Sequence, residues 1–156
     1  MLADPQAFQI RAADATDLEQ VIALDERVTG TAKEPYWNEL YTRYQTRRPK
    51  ERFFFVAEEE KDDNSESIVG FIIGEVRAWE FGSTPCGWVF AISVDPATRL
   101  TGIGTALFDV ISESFKKVGV HTIRTMISHK NHELLSFFRS EGLTAGPYLQ
   151  LEKELN

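Results

Sequence analysis

Two glycines separated by one residue, Gly102 and Gly104, stand between a β-branched run and a long apolar helix pattern in W-V-F-A-I-S-V-D-P-A-T-R-L-T-G-I-G-T-A-L-F, Trp88 to Phe108. Glycine at these positions removes side chains where something must come close to the backbone. The first N–H groups of a helix have no intrahelical partner, and the helix dipole puts partial positive charge behind them. Such a loop suits a phosphate or pyrophosphate. It is not a Walker loop, because no G-K-[ST] follows, and Leu107 stands where a dinucleotide fingerprint has its third glycine.

Carboxylates are the next candidates. Along Ser67 to Glu80, Phe71, Ile73, Glu75, Arg77 and Trp79 share one strand face, and Gly70, Ile72, Gly74, Val76 and Ala78 share the other. Both faces read as buried near the middle, so Glu75 needs either a cation, Arg77 or another, or a task as a general base. Glu80 is the second candidate base. Tyr148 and Tyr36 are candidates to line an acceptor site or to donate a proton. His129 and His132 have no carboxylate or cysteine at ligand spacing, so no metal site is expected. Cys86 has no basic neighbour in sequence and no helix start to lower its pKa, which argues against an acyl-cysteine intermediate.

These residues must be positioned by one domain spanning 1–156, since 156 residues with 42% hydrophobic and 26% charged side chains suit a single globular core. Phe8 and Ile10 alternate as a first strand. Thr16 with Glu19 has capping-box spacing ahead of a helix carrying Leu18, Val21, Ile22 and Leu24 and ending at Gly30. Pro35 opens a second helix, striped by Tyr36, Trp37, Leu40, Tyr41 and Tyr44, that runs toward Pro49. Arg52 to Glu59, Ser67 to Glu80 and Cys86 to Val94 then read as an antiparallel meander.

Ile103 to Val118 is a helix stopped by Gly119, and Thr122 to Ser128 is a strand. Asn131 caps a short helix that stops at Gly142, and Tyr148 to Leu155 alternates as a final strand. The order predicts an α/β fold, a mixed sheet of α+β type: a meander followed by a strand–helix–strand crossover, with helices on both faces.

Charge and segment lengths narrow the function classes. The net charge is −7, and the acidic run Glu58 to Glu66 alone supplies −5 of it, which reads as a solvated hairpin loop. No basic face for nucleic acid is expected. No apolar run approaches the ~20 residues of a membrane helix. The start M-L-A-D-P-Q lacks a basic and apolar leader, and a single cysteine fits a reducing compartment, so the expected location is the cytoplasm.

With the residues laid out, Val94-x-Pro96-x-x-Arg99-x-x-Gly102-Ile103-Gly104-x-Ala106-Leu107 resembles the pyrophosphate-binding signature of the GNAT superfamily of acyl-CoA N-acyltransferases, R/Q-x-x-G-x-G/A at a strand-to-helix junction. Asn131-x-x-Leu134-x-x-Phe137-Phe138-x-x-x-Gly142-Leu143 is similar to the family's N-x-x-A-x-x-F-Y-x-x-x-G-F block. With the element order, the resemblance extends over essentially the whole chain.

It implies a GNAT-like fold and transfer of an acetyl or other short acyl group from acetyl-CoA directly to a primary amine, on a small molecule or on a peptide or protein. Backbone groups of Ile92 and Val94 would run beside the pantetheine arm. The amides of Leu100, Thr101, Gly102, Ile103, Gly104 and Thr105 would hold the pyrophosphate. Asn131 and Phe138 would line the CoA channel, and Arg99, Lys130 and Arg139 could meet CoA phosphates. Family members are often dimers, so a homodimer is a further implication.

An ammonium of lysine type has a pKa of ~10.4, so only about one molecule in 2,500 is neutral at pH 7, and a base is the larger need. The thiol leaving group, pKa near 8.5, departs fairly easily as thiolate. Phe138 stands where many relatives carry a tyrosine acid, so an unassisted thiolate, a water or another tyrosine must serve. The same phenylalanine favours the alternative reading, a non-catalytic acyl-CoA-binding sensor or interaction module.

Overall fold

Alternating apolar side chains lay down three long strands in succession, and each finds its partner in the next. In the computed structural model, which describes residues 8–46, 50–61, 65–98 and 102–156, the chain divides into two compact units, Met1–Thr125 and Met126–Asn156. The first holds β1 Phe8–Ala12, α1 Leu18–Thr29, α2 Glu34–Thr46, β2 Arg52–Glu60, β3 Glu66–Arg77, β4 Cys86–Val94, α3 Ile103–Lys117 and β5 Ile123–Arg124; the second holds α4 His132–Ser140. The sheet order is β1-β2-β3-β4-β5, antiparallel throughout except for the parallel β4/β5 pair. A mixed sheet of meander plus crossover is therefore what the chain forms.

Both faces of this sheet are covered within the first unit. On one, Val21 and Leu24 of α1 and Trp37 of α2 close over Phe54, Val56, Ile68, Phe71 and Ile73, with the Trp37 ring edge-on to Phe71 at 5.3 Å. Buried Asp25 ties the two helices together, accepting from Trp37 Nε1 at 3.0 Å and pairing with Lys33 at 2.9 Å. On the other face, α3 steps along Ile103, Leu107, Ile111 and Phe115, all buried. The sheet receives it on glycines: a Cβ at Gly74 would lie 2.6 Å from the Trp88 carbonyl oxygen and 2.9 Å from Ile111, and one at Gly87 would lie 2.6 Å from the Phe115 ring. The helix thus sits closer than any side chain would allow.

The edge strand β1 is secured electrostatically. Arg11 donates two hydrogen bonds of 2.7 Å to Asp17 and one of 2.9 Å to Glu58. The Arg11 hydrogen bond holds the Glu58 carboxyl below its ordinary range, and Glu66, which shares a hydrogen bond with Glu58, is pushed up by it.

Several expectations change on inspection. The capping box belongs to Asp14 and Asp17, on a single 3-10 turn ahead of α1, in place of Thr16 and Glu19. Asp14 accepts from both the backbone N–H and the hydroxyl of Thr16, which leaves that hydroxyl occupied as a donor. The strand expected over 122–128 contracts to Ile123–Arg124, after which Thr125 Oγ1 donates to the Val89 carbonyl at 3.0 Å. No strand forms at Tyr148 to Leu155; residues 143–156 adopt neither helix nor strand. Alternation alone does not make a strand, because a strand exists only where a ladder of backbone hydrogen bonds forms. Among the described residues five strands stand where six were expected. Pro49, Asp62, Asp63, Asn64 and the Tyr44 side chain lie outside the described residues.

Candidate active site

The free side of β4 is the central feature. Asp95 N–H donates to the Val69 carbonyl at 2.7 Å, and the register pairs Gly70 with Val94, Phe71 with Ser93, Ile72 with Ile92 and Ile73 with Ala91. In an antiparallel ladder hydrogen-bonded pairs alternate, so Ala91, Ser93 and Asp95 direct their N–H and C=O groups to β3, and Ile92 and Val94 direct theirs to the opposite edge. Parallel pairing with β5 occupies that edge only at Gly87 and Trp88. Beyond Val89, whose carbonyl Thr125 takes, no other strand pairs with it among the described residues.

A bulge accompanies this opening. The register passes from Ile73/Ala91 to Gly74/Val89, which leaves Phe90 as the extra residue of β4. Such a bulge bends the strand and raises its twist, carrying Ala91 to Val94 away from the course of β5.

The strand leads directly into a turn and a helix start. Asp95 Oδ1 accepts from Ala97 N–H at 2.9 Å, its carbonyl accepts from Thr98 N–H, and Oδ2 accepts from Arg27 of α1 at 2.9 Å. The chain therefore leaves the sheet at a fixed place. Gly102 precedes α3 with φ 83°, a left-handed conformation that glycine adopts without strain, and contributes no capping side chain. Ala106 N–H donates to the Gly102 carbonyl at 2.9 Å, which fixes the start of α3 at this glycine, the end of the helix where the dipole places partial positive charge. Arg99, Leu100 and Thr101 lie outside the described residues.

A cluster of charge adjoins the bulge. Glu75 is held between two guanidinium groups, Oε2 at 3.2 Å from Arg52 Nε and Oε1 at 3.2 Å from Arg77 Nε. Arg52 lies opposite Glu75 on β2 and also donates to the Arg43 carbonyl at 3.0 Å. Arg77 spreads over Phe90, 4.8 Å from the ring centroid, and over Trp88 at 5.7 Å. Glu80 is more than half exposed, its Oε2 3.7 Å from Arg77 Nη1. The cationic partner anticipated for Glu75 is thus present twice over. Arg52 was missed because its pairing depends on register between two strands, which no single strand's pattern reveals.

The remaining candidates fall in the second unit. Asn131 Oδ1 accepts from Leu134 N–H at 3.1 Å, the expected cap of α4. Phe138 is buried, its ring 5.3 Å from Phe137. Tyr148 is about half exposed, as is Tyr36 of α2. Buried Cys86 is a free thiol.

Comparison with known proteins bears on this geometry. The model of the acetyltransferase (GNAT) family matches residues 18–142. No curated protein sequence gives a match. Among solved structures, an aminoglycoside acetyltransferase from an uncultured soil metagenomic sample, in complex with sisomicin, superposes with TM-score 0.74 at 20% identity, over 96% of this chain and 97% of its own. The aminoglycoside N-acetyltransferase AAC(6')-Iy in complex with CoA gives 0.75 at 15% identity, over 99% of both chains. Glucosamine-6-phosphate N-acetyltransferase from Arabidopsis thaliana gives 0.70 at 16% identity, over 96% and 99%. At these identities the likeness is one of fold.

Proposed function

The chain belongs to the acetyltransferase (GNAT) family, which uses acetyl-CoA, and from that premise we propose that residues 1–156 act as one N-acetyltransferase domain that moves an acetyl or other short acyl group directly onto a primary amine. The observation that carries the reading is the open β4 edge, with the peptide groups of Ile92 and Val94 directed away from β3, leading through a turn to the start of α3 at left-handed Gly102. A row of outward peptide groups followed by a concentration of N–H donors fits a ligand with an amide-bearing arm and a pyrophosphate.

Acetyl-CoA supplies the activated thioester. The protein's part is to align it, to stabilise the charge that develops on the carbonyl oxygen, and to take a proton from the amine. Ile92 and Val94 serve the first two tasks through their backbone groups, and Gly102, Ile103, Gly104 and Thr105, with Arg99, Leu100 and Thr101 before them, serve the pyrophosphate. The part given to Asn131 and Phe138 in holding CoA rests on the family resemblance of their motif.

Proton acceptance is assigned to Glu75, with Glu80 as the second carboxylate. The two guanidinium contacts fix the Glu75 carboxylate in one orientation while using two of roughly four lone-pair positions, so an ammonium proton still has a place to go. As the new N–C bond forms, the C–S bond breaks and the sulfur leaves as thiolate. Position 138 donates no proton, and Tyr148 is the side chain assigned to any assistance.

A reducing cytoplasm is the proposed setting, in keeping with the unpaired Cys86. Thiol release from acetyl-CoA, measured against a panel of amines, amino acids, amino sugars and peptides with Gly102→Asp as the blank, tests the whole reading. A hit that the substitution abolishes supports it. No release together with no calorimetric binding of CoA overturns it.

A further inference from the structure

Building on that acetyltransferase reading, we propose that the acceptor is an amine that also carries a carboxylate or phosphate, and that Arg77 receives this anion. Glu75 takes Arg77 through Nε at 3.2 Å, and the guanidinium lies over the Phe90 and Trp88 rings at 4.8 and 5.7 Å, so the group is fixed from one edge and one face. What remains is the Nη1/Nη2 edge. Nη1 has only the 3.7 Å ion pair with Glu80, too long for a hydrogen bond, and Nη2 has no partner among the described residues.

The Arg77 side chain is 33% exposed, and the Glu80 side chain, 52% exposed, is free to turn toward solvent. A planar fork held in this way matches the two oxygens of a carboxylate or phosphate. Its place in the fold matters equally. Phe90 is the bulge residue, and the next residue, Ala91, begins the open stretch of β4 where acyl transfer is proposed. An anion seated on Arg77 would therefore anchor the acceptor beside the reacting edge while leaving its amine free to approach. Arg52, on the far side of Glu75, adds a second positive charge behind the fork.

Matched acceptors test the proposal: lysine against lysinamide, phenylalanine against phenylalaninamide, and glucosamine 6-phosphate against glucosamine, each scored by kcat/KM with saturating acetyl-CoA. The wild type should favour the anionic member of at least one pair by tenfold or more, and which pair responds separates carboxylate from phosphate. R77Q should lower kcat/KM for the anionic member by an order of magnitude more than for the neutral one, and R77K should fall between, keeping the charge without the fork. Preference for the neutral member, or an unchanged ratio in R77Q, overturns the proposal. So does acetyl-CoA binding with neither turnover nor calorimetric binding of any anionic probe. Absence of acetyl-CoA binding removes instead the acetyltransferase reading on which the proposal stands.

Discussion

Replacing Gly102 by Asp and, separately, by Asn separates the two roles this residue is given. A Cβ added at position 102 meets no atom within 4 Å, so neither substitution disturbs packing. The φ of 83° penalises an ordinary L-residue by about 1–2 kcal/mol, and Asn and Asp tolerate that region better than most. The two variants therefore fold at similar cost and differ by one negative charge at the helix start. With a ligand phosphate about 5.5 Å away and an effective dielectric near 20, that charge costs about 3 kcal/mol per phosphate charge, or more than about 100-fold in Kd. Screening at 0.15 M salt reduces this, so a ratio of about 30 between the Asp and Asn variants is the expected floor, rising as salt is withdrawn. Calorimetric titration with CoA at two ionic strengths reads it directly. Equal affinities for the two variants would show that the amides at the start of α3 do not hold the pyrophosphate.

Three further outcomes follow from the geometry. Gly87→Ala drives a methyl to within 2.6 Å of the buried Phe115 ring and should cost about 1–3 kcal/mol in urea unfolding, partly recovered by adding Phe115→Leu; an unaltered midpoint would mean that α3 can rise without penalty. Glu75→Gln should lower kcat about 100-fold while the Kd for acetyl-CoA stays within about twofold, whereas a carboxylate that only neutralises Arg52 and Arg77 would show lost stability and intact turnover. Because the folded pKa of Glu58 lies below its ordinary 4.5, its contribution is present above that value and disappears as pH falls through the folded value. Glu58→Gln should accordingly flatten the acid limb of stability against pH, and identical limbs in variant and wild type would refute the Arg11–Glu58 account.

Most elements were legible because each was written in a period. The stripe from Ile103 to Phe115, the meander strands and the Asn131 cap all appear where spacing puts them. The glycine pair likewise announced a turn into a helix, and Gly102 adopts the left-handed conformation for which glycine is suited. What spacing could not convey was anything that depends on two segments at once. The open edge of β4 follows from where β5 stops, the bulge at Phe90 from the count of residues facing β3, and the clasp on Glu75 from Arg52 lying opposite it. Tyr148 to Leu155 fails for the same reason in reverse: it has the alternation of a strand and no ladder.

The glycines beneath α3 act as a gauge. Gly70 stands opposite Val94, where a methyl would lie 3.0 Å from Ile103 and 3.1 Å from Leu107, so bare backbone at this point sets how low the first turn of the helix rides above the open strand. Any ligand that spans both must match that height. A change of one carbon on the inner surface of the sheet would lift the helix by a few tenths of an ångström and be felt as weaker ligand affinity, although it touches neither the turn nor the exposed edge. Selection for a ligand that bridges strand and helix would then act on atoms that are absent.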